Sequence, residues 1–198
     1  MRQAFIIAAL TGVFFGAGCV SSSALEENLV ERSRLRVPTW IDLEPGIFHE
    51  SDETLRFVVR RQGIVDVPLG LKQAELGALS DMSNALHAMT RREIREFMSQ
   101  NQNTVDPILL DKILMEGVRF HLGKYGRLRD IYYEAVEKRI PGMTGHEKST
   151  RIYVLMSLPR DKMSRLLSDL QARFEKAGRP DLEGLALSLK KYTEQFGH

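Results

Sequence analysis

The sequence predicts an α+β fold, a small mainly antiparallel sheet with a long helix packed across it and further helices at the C-terminal end. Three observations carry this expectation. TLRFVVRRQ (54–62), LRDIYYEAVE (128–137) and TRIYVLMSL (150–158) gather the β-branched and aromatic residues that strands prefer. Between the first and second of these runs, Leu71, Ala74, Ala78, Met82, Ala85, Leu86 and Met89 recur at three- and four-residue steps, the period of one helix face. After the third run the spacing is helical again almost to the last residue.

The chain opens MRQAFIIAALTGVFFGAG, with one basic residue, Arg2, followed by an uncharged run of apolar and small residues that ends at the only cysteine, Cys19. This is the order of an export signal. A spanning helix needs about 20 predominantly apolar residues and a polar or basic stop. Ser21, Ser22, Ser23, Glu26 and Glu27 do not supply that stop. Residues 1–18 therefore read as a signal that is removed.

LEENLVERSRLRV (25–37) mixes charge with sparse Leu and Val and reads as a weak helix or a solvated spacer. If Ser21 to Val37 were flexible, their reach would be about 20–25 Å. Pro38 and Pro45 bracket Trp40, the only tryptophan, and make PTWIDLEPG an extended lead-in. Trp40 is expected to plug the core where the tether leaves the fold, a partner surface being its other reading.

The first strand, Thr54 to Gln62, ends near Gly63, and a short extended piece from Ile64 to Val67 stops at Pro68. The long helix is expected from about Leu69 to Met98. Its alanines permit close approach to a sheet. Asp106 and Pro107 have the form of a second helix start, cap followed by proline, and Gly123 and Gly126 are expected to end that helix. The strands at 128–137 and 150–158 form a hairpin across a loop carrying Pro141, Gly142 and Gly145. Tyr132 and Tyr133 point to opposite faces of their strand. One is expected in the core and the other in cross-strand packing, with glycan or partner stacking the alternative. Helices follow at Asp161–Ala177 and Asp181–Phe196, separated by Gly178 and Pro180. The organisation is thus signal (1–18), cysteine and tether (19–37), α+β core (38–160) and C-terminal helical segment (161–198).

The 198-residue chain carries a formal charge of +2, and without Arg2 the balance is 27 basic to 26 acidic residues. No nucleic-acid partner is expected from that near neutrality. With Cys19 modified there is no thiol left for a disulfide or a nucleophile. The five histidines, His49, His87, His121, His146 and His198, show no metal-ligand spacing, and GxSxG, GxGxxG and P-loop patterns are absent. No catalytic residue, metal or cofactor is expected, and the chain reads as a non-enzyme. His87 is placed off the buried helix face, and His121 near a helix end where a cation suits the dipole. Arg60, Arg61, Arg91, Arg92 and Arg95 are diluted by Glu93 and Glu96 and read as a solvated face.

Ala17, Gly18 and Cys19 resemble the lipobox of bacterial lipoproteins. The resemblance implies cleavage between Gly18 and Cys19, a diacylglyceryl thioether on the cysteine and acylation of the new amino group. Val20, which is not Asp, then favours the outer membrane. Plain secretion with an incidental thiol is the other reading. Beyond the lipobox, the Pro38–Trp40 lead-in, Phe57–Val59, the Ala74/Ala78/Ala85 helix and the Tyr132–Tyr133 strand resemble the LPP-twenty family of outer-membrane lipoproteins. So does the Tyr153–Leu155 strand that runs to Pro159 and Arg160. That resemblance implies a non-enzymatic envelope protein, lipid-anchored with its folded part in the periplasm, which self-associates or joins an envelope or flagellum-associated assembly. A tethered periplasmic ligand-binding or enzyme-accessory module is the alternative.

Overall fold

The computed structural model describes residues 27–139 and 145–196. Gly18, Cys19, the rest of the expected signal and the loop residues Pro141 and Gly142 lie outside them. The described elements are β1 (Glu27–Arg32), a single 3-10 turn (Thr39–Asp42), β2 (Phe48–Glu50), β3 (Thr54–Ile64), α1 (Val67–Gln100) and α2 (Pro107–Tyr125). They continue with β4 (Arg127–Arg139), β5 (His146–Pro159), α3 (Arg160–Lys176) and α4 (Pro180–Phe196). The expected α+β class is what the structure has. Five strands form one antiparallel sheet in the order β1-β4-β5-β3-β2.

The two faces of this sheet are unequal. Alternate residues of β3 and β5, with Phe57 opposite Met156 and Val59 opposite Val154, meet the helices in the main core. The intervening residues Val58 and Leu155, with Tyr132 and Tyr153, face the other way and are covered by Trp40 of the lead-in. Sequestering each large apolar side chain contributes about 1.5–3 kcal/mol. The helix-bearing face, with all four helices in its core, therefore contributes most of the stability.

α1 lies across β3 and β5, as its small residues predict. Asp66 caps it by accepting from the Leu69 N–H at 2.9 Å, and Pro68 sits in the first turn, where a missing N–H leaves no bond unmade. Ala74, Ala78, Met82 and Leu86 form its buried stripe. A Cβ on Gly70 would collide with the Ile64 side chain, so glycine there sets how closely helix and strand approach. α2 is capped by Asp106, whose carboxylate accepts from the Ile108 N–H at 2.9 Å.

Several elements differ from the sequence reading, each for a physical reason. Residues 27–32, read as weak helix or spacer, are a strand. Every side chain of β1 is exposed, so no alternation of apolar residues marks it. Its partner is supplied by β4, with Glu27 opposite Lys138 and Arg32 opposite Glu134. Trp40 sits in a 3-10 turn and not in extended chain, with the Leu43 N–H donating to its carbonyl at 3.2 Å. β2 is too short to show a period. Ile64 closes β3 after an irregularity at which Gly63 takes φ +73°, and Val67 already begins α1, so no separate piece exists between them. Gly123 continues α2, which is capped by Gly126 alone.

Candidate functional site

The most site-like feature is a groove along the C-terminal half of α1, built by three elements that converge beyond the sheet. α1 supplies Met89, Thr90 and Glu93, the β2–β3 hairpin supplies Phe48, Glu50 and Leu55, and α3 supplies Met163, Leu166 and Leu167. The hairpin is fixed to the start of α3 where the Arg160 N–H donates to the Glu53 carbonyl at 2.9 Å. Phe48 packs on Phe57 with ring centroids 5.1 Å apart, which holds the outer wall. The hollow measures about 430 Å³. A second hollow of about 290 Å³ adjoins it across Glu93 and Leu167 and continues between α1 and α4 past Phe97 and Leu189. Both volumes fall in or near the range of about 300–1,000 Å³ typical of small-molecule sites.

The walls are mainly apolar and the polar groups are few. Thr90 is 1% exposed, and its Oγ1 lacks a hydrogen-bond partner. One turn further along α1, burial against the groove raises the Glu93 carboxyl above its ordinary value; the Arg92 charge opposes that shift and Glu96 adds to it. Arg160 at the mouth is paired with Glu50 at 3.1 Å.

A second polar locus lies between α1 and α2. Ser83, His87 and Thr90 share one buried flank of α1. His87 Nε2 stands 3.4 Å and Arg91 Nε 3.1 Å from Asp111 Oδ1, without the alignment of hydrogen bonds. His87 is thus buried, contrary to its expected place off the buried face. α1 has two covered flanks, one on the sheet and one under α2, and a single stripe of apolar residues marks only the first. Ser83, His87 and Asp111 suggest a nucleophile relay, but Ser83 Oγ has no partner, so the link that would activate it is missing. On the far side of α2, fully buried His121 donates from Nδ1 to Asp169 Oδ2 at 3.1 Å while Nε2 is unpartnered. Among the described residues no three His, Cys, Asp or Glu side chains are grouped to hold a metal ion.

The sequence-selected aromatics are divided between the faces of the sheet. Trp40 is buried at 8% exposure, and its indole N–H donates to Asp130 Oδ2 at 3.0 Å. Tyr132 joins it in the smaller core, 6.0 Å from Tyr153 between ring centroids, and donates from its hydroxyl to Glu134 at 2.9 Å. Burial first, and then the Glu134 carboxylate, push the Tyr132 phenol up to about 12. Tyr133 lies on the helix-bearing side, half-buried, with its hydroxyl donating to Glu31 at 3.2 Å. The five arginines do not form one patch, because Arg61 pairs with Asp81 and Arg91 with Asp111. The groove went unread in the sequence because one wall is β2, and because Thr90 and Glu93 look like ordinary polar positions of a long helix.

Comparison with family models, with curated proteins and with solved structures finds no match for this chain.

Proposed function

We propose that this chain is anchored to a bacterial envelope membrane, the outer membrane by the Val20 rule, through acyl chains on Cys19. There it serves as a structural or assembly component through contacts of its folded domain. The observation that carries the reading is the order of the N-terminal segment. A basic residue, an apolar run and Ala17-Gly18-Cys19 stand seven residues, 20–26, ahead of the first strand. Each buried CH₂ of an acyl chain contributes about 0.8 kcal/mol; one chain binds a bilayer marginally and two or more bind it stably. Among the described residues no helix is long and apolar enough to cross a membrane, so lipid on Cys19 is the anchor that this reading requires. With β1 beginning at Glu27, seven intervening residues span at most about 25 Å. The sheet edge would thus be held close to the headgroups.

The test is metabolic labelling with a palmitate analogue, comparing the natural chain with Cys19→Ser and fractionating membranes. Label that is incorporated and lost in the variant supports the anchor, and an unlabelled, released protein removes it. Assembly is then read from sedimentation at several concentrations. Self-association or co-purification with a large complex supports it, and a monomer at all concentrations favours a tethered ligand-binding module. That second reading is favoured by one observation, the mainly apolar groove along α1.

A further inference from the structure

We infer that the exposed segment following β1 seats on the phospholipid surface to which Cys19 ties the chain, with the Leu35 side chain entering the boundary between headgroups and acyl chains and the Arg36 guanidinium lying among lipid phosphates. The inference rests on the anchor reading and adds to it the face of the domain that meets the bilayer. Its first support is that Leu35 is held in water by structure on both sides. Leu35 is 100% exposed. Before it, the Ser33 N–H donates to the Tyr133 carbonyl at 3.0 Å and Arg34 donates to the Ile131 carbonyl at 2.8 Å; after it, Trp40 donates to Asp130 at 3.0 Å. A leucine presented to solvent by a clamped segment is apolar surface that folding leaves uncovered. Leu29 and Val30, both exposed, line a hollow of about 390 Å³ together with Leu35, and Val37 is exposed just beyond. Apolar side chains gathered at a surface in this way mark contact sites, membranes included.

Two further observations choose a lipid surface as the occupant. The first is the length of chain ahead of β1. Seven residues, 20–26, separate Cys19 from the strand that carries Leu29 and Val30, a span of at most about 25 Å. A tether that short turns a second contact with the same bilayer into an intramolecular one at high effective concentration, so a modest patch suffices. The second is charge. Arg32 turns back to Glu134 at 3.8 Å and Arg34 to Asp130, while Glu31 accepts from the Tyr133 hydroxyl. Arg36, beside Leu35, has no acidic partner among the described residues. An arginine next to an inserted leucine can keep its guanidinium at the level of the phosphates while its methylene stem covers apolar surface. A second copy seated on this patch would instead bring Arg36 toward its own equivalent about the two-fold axis, with like charges facing.

The test holds the full lipidated chain in nanodiscs of phosphatidylethanolamine and phosphatidylglycerol, a fraction of the lipids carrying a nitroxide on the acyl chain, and reads paramagnetic broadening of leucine, valine and isoleucine methyl signals by NMR. Ile108, 82% exposed at the start of α2, is the reference for a methyl that meets water alone. The Leu35 methyls are expected to broaden several-fold more than that of Ile108, with Leu29 and Val30 next. Leu35→Ser is expected to at least halve the broadening at Leu29 and Val30 while leaving the urea midpoint unchanged, because the side chain it removes is not part of any core. Arg36→Glu is expected to lower the broadening too, and more so as the discs are enriched in phosphatidylglycerol. A chain that elutes apart from the discs would refute the anchor and the inference with it. A chain that stays with the discs while Leu35 broadens no more than Ile108 would overturn the inference alone. So would Leu35 signals that shift with protein concentration instead, the mark of a second copy, or a Leu35→Ser chain that broadens as the natural one does.

Discussion

The indole N–H of Trp40 and the guanidinium of Arg34 converge on one carboxylate, that of Asp130, at 3.0 Å and 2.5 Å. Trp40 lies 90 residues before its partner, so this contact closes the lead-in over the smaller core. The notional plug at the domain's mouth is a hydrogen-bonded clamp between the lead-in and β4. Trp40→Ala is expected to cost about 3–5 kcal/mol, as large aromatic deletions in cores do. Trp40→Phe, which keeps most of the apolar burial and loses the hydrogen bond, is expected to cost less. Urea denaturation of the two variants measures the difference.

Burial alone would push the Asp130 carboxyl up, but the hydrogen bonds from Arg34 and Trp40, the Arg34 charge and the Ile131 N–H outweigh it and hold it below the ordinary carboxylate value. A depressed acid contributes stability that is complete above its unfolded value and lost as pH falls through its folded one. Asp130→Asn should therefore flatten the acid limb of stability below pH 3.8, the unfolded reference, while lowering stability at neutral pH. Thermal melts of both proteins across that range test it.

Tyr132 gives the opposite limb. Its phenol is held up to about 12 against an ordinary value of 10.0. The stability tied to its protonated form is complete below the unfolded value and disappears as pH rises from there to the folded one. Ultraviolet titration should show Tyr132 ionising late in the folded protein, with Tyr133, raised by burial and by Glu31, also above the ordinary value. Tyr132→Phe should remove that late step and make unfolding less sensitive to pH between those two values.

Glu93 should make the protein less stable at neutral pH than its glutamine variant. A carboxyl raised by burial contributes its full stability only below its unfolded value of 4.5 and loses it as pH rises through the folded one. Glu93→Gln is expected to melt higher than the natural protein at pH 7, with the gap closing as pH falls below 4.5. A variant that melts lower at pH 7 would show that the carboxylate is not penalised where it stands.

The His121–Asp169 pair joins α2 to α3 inside the helix layer. Asp169→Ala leaves both ring nitrogens of a fully buried histidine without a partner, and is expected to cost about 1–3 kcal/mol. Adding His121→Leu should return part of that loss, because removing both members of a buried polar pair is cheaper than orphaning one. Chemical denaturation of the single and double variants reads the coupling.

What the sequence disclosed and what it withheld divide along physical lines. α1, α2 and the β4–β5 hairpin were legible because their own residues carry the period, the caps and the strand composition. Asp106 and Pro107 announce α2 without help from the rest of the chain. β1 and β2 were hidden because their reason for being strands lies in β4 and β3 and not in themselves. His87 was misplaced for the same cause, since the helix that covers it is a later segment. The groove has no signature at all, being the space left where α1, α3 and a three-residue strand fail to close.

The sheet order also sets when this protein can exist during its own synthesis. β5 is the neighbour of both β3 and β4, and it is the last strand in the chain. Until residues 146–159 have emerged, β3 has only the short β2 beside it and β4 only the charged β1. Two stubs stand ready with no common partner, and contacts of such long separation form slowly. A chain stalled before His146 should therefore be digested as readily as an unfolded one, whereas release of the remaining residues should bring protection to the whole sheet at once. The polypeptide thus stays open for nearly three-quarters of its length, and the sheet closes only after most of it has been made.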